Sequence, residues 1–226
     1  MSDVVVFGVG QWAELAHFYF THDSPHRVVA FTLDEEYLVE PEFKGLPVVA
    51  FETVEEAFDP ADFAMFLPIS FKRMSHVRAD RAVAAKAKGY ELVSYVSSKA
   101  TTFPDFACGE NCFILEDNTI QPFVKIGWDV VMWSGNHIGH HTVIEDHVMI
   151  TSQVVISGDC RIEPHCFFGV NATVRDETLI ARETIVGAGV AIMSDTEPFS
   201  VYKVAGTEPA GFRSDELRSL SHKSGG

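Results

Sequence analysis

The sequence predicts a small α/β domain followed by a parallel β-helix. In residues 108–192 every sixth residue is apolar without a break, and such a hexapeptide period is the signature of a parallel β-helix. In residues 1–96 short apolar strands alternate with helical stretches, which is typical of a parallel sheet covered by helices. We therefore expect an α/β domain over 1–96, a β-helix over 97–196 and a C-terminal tail over 197–226.

The elements of the first domain follow from its apolar runs. Five strands are predicted, with helices between them. The strands are expected at Val4–Phe7, Val28–Leu33, Pro47–Phe51, Phe63–Leu67 and Leu92–Tyr95, and the helices at Trp12–Phe20 and Lys72–Lys88.

The hexapeptide repeat indicates which side chains point inward. If three hexads form one coil of about 18 residues, about five coils stack roughly 4.8 Å apart, the spacing of neighbouring strands. Residues 18 apart then lie above one another. The inward residues are Cys108, Ile114, Ile120, Ile126, Met132, Ile138, Ile144, Ile150, Ile156, Ile162, Phe168, Val174, Ile180, Val186 and Ile192.

Composition excludes several classes of function. The formal net charge of −15 at pH 7 argues against a nucleic acid or an anionic membrane as a partner. No apolar run approaches the roughly 18 residues of a transmembrane helix, and we expect no signal peptide. The four cysteines sit at inward positions without a second pair at metal-ligand spacing. We therefore expect buried thiols, no metal and a reducing, cytoplasmic location.

A glycine-rich turn in the first domain indicates a nucleotide site. Gly8 and Gly10 follow a strand and precede a helix, where glycines let a phosphate approach the backbone. Asp34 ends the second strand, the place of a ribose-binding acid. Ala13 stands where the dinucleotide fingerprint has its third glycine, so the pattern favours a nucleotide without specifying NAD. The alternative is a tight strand-to-helix turn without a ligand.

Basic residues follow the fourth strand. Lys72, Arg73 and Arg78 form a local cluster in an acidic chain and could hold a pyrophosphate. The alternative is a solvated helix face.

Histidines of the repeat carry the candidate chemistry. His140 stacks directly under Gly158 at a corner of the prism, where an imidazole beside a backbone N–H could act as a general base next to an oxyanion donor. His137 points outward from the adjacent flat face. Surface histidines and a zinc site remain as alternatives.

One outer face of the β-helix is expected to be apolar. Its ladder is Phe113, Val131, Met149, Phe167 and Ile185. An exposed apolar face implies a partner, and the simplest is a second copy of the chain. The alternative is coverage by the N-terminal domain or the tail.

The order of a small Gly-x-Gly domain and a hexapeptide repeat containing Gly139-His140-His141-Thr142-Val143-Ile144 resembles a known class. It is similar to the left-handed β-helix sugar acyltransferases, in particular the sialic acid O-acetyltransferase-like group with its nucleotide-sugar N-acetyltransferases. The resemblance implies a Rossmann-like first domain and a homotrimer that binds acetyl-CoA in the groove between two β-helices.

The resemblance also implies roles for individual residues. His140 takes a proton from the sugar amine, and the Gly158 N–H bonds the thioester carbonyl. Val170 and Ala188 match positions that line the pantetheine, and Lys203 matches a segment that meets the CoA phosphates. The first domain would hold the nucleotide, so the implied substrate-binding set is Gly8, Gly10, Asp34, Lys72, Arg73, His137 and His141.

The sequence departs from this group at one position. Many relatives have a carboxylate directly after the catalytic histidine, whereas this chain has His141. A neutral His141 could accept a hydrogen bond but supplies no negative charge. Glu145, Asp146 and Asp159 are the candidates for a carboxylate near His140, and the sequence does not rank them.

Together these observations predict an acetyl-CoA-dependent N-acetyltransferase that acts on a nucleotide-linked amino sugar in bacterial glycan biosynthesis. Three other functions stay open. They are an O-acetyltransferase of a free sugar such as sialic acid, a zinc-dependent hydratase of the γ-carbonic anhydrase type, and a binding or scaffold protein with a degenerate site.

Overall fold

A computed structural model describes residues 1–209, 211 and 213–216. Most of the predicted C-terminal tail beyond residue 209 lies outside the described residues. Within the described part, no helix combines the length and apolar character needed to cross a membrane.

The N-terminal α/β unit contains a five-stranded sheet of order β3-β4-β2-β1-β5. The strands are β1 (Asp3–Phe7), β2 (Arg27–Leu33), β3 (Glu42–Phe43), β4 (Leu46–Ala50) and β5 (Phe63–Phe66). The helices are α1 (Gln11–His22), α2 (Val54–Ala57) and α3 (His76–Ala87), with 3₁₀ turns at Glu35–Tyr37 and Phe51–Thr53. All pairings are parallel except that of β3 with β4. The central residues of β1 are all buried, as a strand covered on both faces requires.

Two predicted elements differ from the structure. Leu92 makes only an isolated bridge with Met65, and the next strand, β6 (Tyr95–Val96), pairs with the β-helix instead of the α/β sheet. The fifth α/β strand predicted at Leu92–Tyr95 is therefore reduced to a parallel bridge at Leu92, and its extension to Tyr95 is wrong. The helix predicted from Lys72 starts at His76, because the three preceding residues adopt left-handed backbone conformations, with φ of 52° to 63°.

The β-helix is built from two-residue strands on three flat faces. The strands are β7 (Phe113–Ile114), β8 (Thr119–Ile120), β9 (Lys125–Ile126), β10 (Val131–Met132), β11 (His137–Ile138), β12 (Val143–Ile144), β13 (Met149–Ile150), β14 (Val155–Ile156), β15 (Arg161–Ile162), β16 (Phe167–Phe168), β17 (Thr173–Val174), β18 (Leu179–Ile180), β19 (Ile185–Val186), β20 (Ala191–Ile192) and β21 (Val201–Tyr202). Strands from β7 to β20 pair with the residues 18 positions away, as the period predicts.

We name the faces by their outward residues. Face A carries Phe113, Val131, Met149, Phe167 and Ile185; face B carries Thr119, His137, Val155, Thr173 and Ala191; face C carries Lys125, Val143, Arg161 and Leu179. The inward side chains form one continuous core. Three cysteines are buried within it, Cys108 is half-buried, and all four are free thiols.

Each corner of the coil contains one residue with a left-handed backbone. The φ angles of the non-glycine members lie between 55° and 68°. Asn, Asp, His and Gly tolerate this conformation better than other residues, which explains why they recur at these positions. The series is Asn111, Asp117, Phe123, Asp129, Gly135, His141, His147, Gln153, Asp159, His165, Asn171, Glu177, Glu183 and Gly189.

The α/β unit covers face A. The Phe113 ring packs on Phe66 and Tyr19, at centroid distances of 5.4 and 5.9 Å, and Phe71 packs on Phe167 at 4.4 Å. The prediction that a second copy occupies this face is wrong. The α/β unit buries Phe113, Val131 and Met149 and packs on the half-buried Phe167, because it has an apolar surface of its own to cover.

A buried polar cluster fixes the α/β unit on the β-helix. Arg78 of α3 and Asp129 are fully buried, and Nε of Arg78 donates to Oδ1 of Asp129 at 2.8 Å. Asn111 and His147, which stack 18 residues before and after Asp129, also contact its carboxylate, both at 2.7 Å. Arg78 is therefore structural, and its assignment to a pyrophosphate-binding cluster is wrong. A buried charge of this kind requires a paired partner.

Candidate functional site

His140 and Gly158 lie at the corner between faces B and C. The ring of His140 packs directly against the Cα of Gly158: a methyl group added there would lie 2.7 Å from Cε1 and 2.9 Å from Nε2 of His140. The side chain of His140 remains 55% exposed. Stacking by 18 residues thus produces the predicted contact and leaves the imidazole open to a ligand.

A second glycine permits the coils to approach at this corner. A methyl group on Gly139 would lie 2.4 Å from the backbone nitrogen of Gly158, a distance that no real side chain tolerates. Gly139 therefore allows the two turns to stack, and Gly158 makes room for the imidazole.

The amide of Gly158 is a free donor. Its carbonyl accepts from the Glu177 amide at 2.9 Å, whereas no described residue accepts a hydrogen bond from its N–H. An unpaired backbone N–H beside an imidazole is an arrangement that can stabilise a developing oxyanion.

Three further side chains surround His140. Its amide donates to Oε1 of Gln121 at 2.8 Å, which holds the backbone of the corner. Its Nδ1 lies 3.1 Å from Nδ1 of His141 and 4.0 Å from Oδ2 of Asp159. Sequence reasoning missed Gln121, since the contact joins two coils at a spacing of 19 residues, outside the 18-residue column.

The structure ranks the candidate carboxylates. Glu145 pairs with Arg161, and Oδ1 of Asp146 accepts from the Trp128 amide at 3.0 Å. Asp159 is the one of the three that faces His140. The ligand atoms of His140, His141 and Asp159 lie within 4.8 Å of one another, so these residues could also hold a cation.

The glycine-rich turn lies at the carboxyl end of β1, where open parallel sheets bind ligands. Gly8 has a φ of 98° and its amide donates to the Thr32 carbonyl at 2.7 Å, so Gly8 shapes the turn and offers no free donor. Gly10 starts α1 and is exposed. A cavity of about 300 Å³ opens beside the turn, and apolar side chains line most of it: Val9, Leu33, Tyr37, Val39, Phe43 and Val48.

Asp34 contacts a cation of its own domain. Its Oδ2 accepts from Nη2 of Arg81 at 2.7 Å. Burial raises the pKa of Asp34 despite this arginine. Its Oδ1 is buried without a hydrogen-bond partner among the described residues, which leaves an acceptor for a ligand hydroxyl.

The remaining predicted residues are dispersed. Lys72 and Arg73 are exposed in the turn before α3. Val170 and Ala188 lie at the corner between faces A and B, across face B from His140. Lys203 follows β21 beside Gly187. The outward His137 lies on face B, between the two corners.

A tryptophan pair connects the glycine-rich turn to the coil of His140. Trp12, in the first turn of α1, packs edge-on against Trp133 at 5.3 Å. Trp133 precedes the corner between faces A and B, on the same coil as His137 and His140. Its Nε1 is buried without a hydrogen-bond acceptor in the described part of the chain.

Comparison with solved structures decides the fold. PglB from Neisseria gonorrhoeae FA1090 has an acetyltransferase domain that superposes with a TM-score of 0.75, at 17% identity, over 89% of this chain and 96% of that one. PerB from Caulobacter crescentus, solved with CoA and GDP-perosamine, gives a TM-score of 0.74 at 21% identity, over 90% and 93%. The fold is that of the left-handed β-helix acetyltransferases.

Two further comparisons are consistent with this fold. WeeI from Acinetobacter baumannii AYE has a TM-score of 0.68 at 18% identity, covering 89% of this chain and 96% of that one. An acyl-[acyl-carrier-protein]–UDP-N-acetylglucosamine O-acyltransferase from Agrobacterium fabrum is 23% identical over 100 residues, which are 41% of this chain. The matched region spans 37% of that relative. No family model matches the sequence.

Proposed function

We propose that this protein is an acetyl-CoA-dependent N-acetyltransferase of a nucleotide-linked amino sugar. The observation that carries the proposal is the contact across one coil between the exposed imidazole of His140 and Gly158, whose N–H has no acceptor among the described residues. The similar structures hold acetyl-CoA in the PglB domain and CoA with GDP-perosamine in PerB. Acyl transfer from a CoA thioester to an amine needs a base and an oxyanion donor close together, which His140 and Gly158 would supply at one corner.

The reaction needs one base and one hydrogen-bond donor. Neutral His140 takes a proton from the sugar amine through Nε2 as the amine nitrogen attacks the thioester carbonyl carbon. The Gly158 N–H stabilises the resulting oxyanion. Collapse of the tetrahedral intermediate forms the amide and breaks the carbon–sulfur bond, and the imidazolium returns its proton to the CoA thiolate.

The first unit is the proposed nucleotide-binding domain, of a Rossmann-like type. The diphosphate lies at the start of α1 beside Gly8 and Gly10, where helical N–H groups attract an anion. Lys72 and Arg73 are the proposed phosphate contacts outside the turn. Asp34 accepts a ribose hydroxyl at its unpartnered Oδ1, and the apolar cavity takes the base.

A homotrimer would explain why the predicted residues are dispersed in one chain. If face B of three copies surrounds a threefold axis, the corner of His140 in one copy meets the corner of Val170 and Ala188 in the next. CoA then lies in the groove between two copies, with Lys203 near its phosphates. His137 lines the same interface toward the sugar.

The same packing would bring the nucleotide near the base. In one chain, Trp133 and His140 are separated by up to about 25 Å along face B. In the trimer, the α/β unit beside the A/B corner of one copy approaches His140 of its neighbour. The four free thiols favour a reducing, cytoplasmic compartment.

The decisive assay incubates purified protein with acetyl-CoA and a GDP-, UDP- or dTDP-linked amino sugar. We expect release of CoA thiol and a nucleotide-sugar product that gains one acetyl group on nitrogen. Acetylation of free sialic acid instead would favour the O-acetyltransferase alternative. One zinc per chain in the purified protein, together with hydratase activity, would contradict the proposal.

A further inference from the structure

The rings of His140 and His141 meet through like nitrogens. Their Nδ1 atoms lie 3.1 Å apart, and the ring planes are nearly perpendicular, at 84°. A neutral imidazole has one N–H and one free lone pair. One Nδ1 must therefore donate and the other accept. The two possible arrangements differ in which nitrogen of His140 carries the proton.

Only one arrangement leaves His140 able to act as a base. If His141 donated, neutral His140 would carry its proton on Nε2 and use its lone pair at Nδ1. If His140 donates from Nδ1, its Nε2 keeps a free lone pair beside Gly158, and His141 carries its own proton on Nε2. The neighbour therefore decides whether the base is available.

The coil holds His141 independently of His140. His141 is the left-handed residue of its corner, with a φ of 61°, and its amide donates to the Pro122 carbonyl at 3.3 Å. Its ring packs on Phe123, 18 residues earlier, at a centroid distance of 4.7 Å. The amide hydrogen bond positions the backbone of His141, and the contact with Phe123 positions its ring. Together they place Nδ1 of His141 beside Nδ1 of His140.

Asp159 is a weaker partner of His140 than His141 is. Its carboxylate lies 4.0 Å from Nδ1 of His140, and the two side chains are 53% and 55% exposed. An ion pair at that distance in water is strongly screened. Asp159 adds favourable charge once His140 is protonated, whereas the direct hydrogen bond is with His141.

The geometry points to His141 as a positioning residue that holds His140 in the Nδ1–H tautomer and so keeps Nε2 free as the base. This inference rests on the proposed acyl transfer, because the contact permits either Nδ1 to donate and the proposed role of His140 as the base selects the direction. A carboxylate in the place of His141 would accept the same proton and add a negative charge. His141, as a neutral acceptor, selects the same tautomer of His140 without adding that charge.

Nitrogen NMR tests the tautomer directly. The full-length protein is labelled with ¹⁵N-histidine and dialysed against a chelator, and the His140 resonances are assigned by their loss in His140→Gln. We expect His140 to carry its proton on Nδ1 in the wild type and in His141→Asn, because the asparagine Oδ1 can accept. In His141→Gly, which removes the acceptor, the Nε2–H form should appear. Both replacements suit a positive φ.

Kinetic measurements on the same variants distinguish a positioning role of His141 from a role in folding. His141→Gly should lower kcat at least about tenfold, toward the loss of 10² to 10⁴ expected without a general base, while KM for both substrates stays near the wild-type value. His141→Asn should recover most of that loss. Asp117→Gly is the matched control, since Asp117 is an exposed corner residue with a φ of 60°. It should keep wild-type kcat.

Three results would overturn the inference: an Nε2–H tautomer of His140 in the wild type, a wild-type kcat in His141→Gly, or a chelator-resistant zinc bound through His140, His141 and Asp159. A different result refutes the acyl transfer alone. If His140 shows the expected tautomers in all three proteins but no nucleotide-linked amino sugar is acetylated, the positioning by His141 stands and the proposed function fails.

Discussion

Nε of Arg78 donates to Oδ1 of Asp129 at 2.8 Å, and both side chains are fully buried between the α/β unit and the β-helix. Nη2 of Arg78 also reaches the carbonyl of Asp129 at 2.8 Å. This pair, together with the aromatic packing on face A, fixes the orientation of the α/β unit. The orientation matters for the proposed function, because it places the glycine-rich turn beside one corner of the prism and leaves the corner of His140 uncovered.

Removal of the buried cation should destabilise the protein strongly. Arg78→Met leaves the carboxylate of Asp129 buried without its arginine, and breaking such a pair costs about 3 to 5 kcal/mol. Urea denaturation should show a correspondingly lower midpoint. Arg27→Met, which removes an exposed ion pair with Asp3, is the control and should leave the midpoint nearly unchanged. Equal midpoints for the two variants would refute a structural role for Arg78.

A methyl group at Gly158 should displace the base without unfolding the chain. In Gly158→Ala the new Cβ would lie 2.7 Å from Cε1 of His140, and the exposed ring must turn away. We expect kcat to fall by about 10² or more, since the base leaves its donor, while the melting temperature changes little. Gly206→Ala is the control, because no atom lies within 4 Å of the added methyl group. Normal turnover in Gly158→Ala would show that the contact is irrelevant.

Acid stability should depend on Asp23. Hydrogen bonds from Ser98 and Tyr95 lower the pKa of Asp23 to about 2. Because the folded-state pKa lies below the ordinary value of about 3.9, the carboxylate stabilises the fold above pH 4, and this contribution is lost as pH falls toward 2. The difference in urea midpoint between the wild type and Asp23→Asn should therefore be largest above pH 4 and shrink below it. A difference independent of pH would contradict this account.

Mixed trimers should test whether the site forms between copies. His140→Ala removes the base, and Gly10→Glu places a negative side chain in the open space where the diphosphate is proposed to bind. Co-expression of the two inactive chains should restore about a quarter of wild-type activity per site, since half the bases and half the nucleotide turns are intact and must coincide. If base and nucleotide come from the same chain, the mixture stays inactive.

The sequence predicted the repeat well because its signal is local and repeated. The same inward positions recur in every coil, so residues that stack on one another, such as His140 and Gly158, could be identified by counting 18 positions along the sequence. The count also places Asp159 on His141, at the corner of His140, whereas Glu145 and Asp146 lie at the next corner of the coil. The contact of Gln121 with the His140 amide did not follow from the count, because it joins two coils at a spacing of 19 residues.

The arrangement of the two units was harder to predict. Five apolar side chains on face A indicated a covering surface, but their pattern is the same whether the cover is a second copy or the same chain. Likewise, Arg78 is one of three neighbouring basic residues in the sequence, and only tertiary packing separates it from Lys72 and Arg73. The covering of face A and the burial of Arg78 are both determined by contacts between residues far apart in the sequence, and not by local propensity.

The central claim is that His140 acts as the general base, and turnover of His140→Ala tests it most directly. Single-turnover acetylation and CoA binding by calorimetry are measured on the same preparation. The account predicts a loss of about 10² to 10⁴ in kcat with CoA binding retained. Near-wild-type turnover by His140→Ala would contradict it.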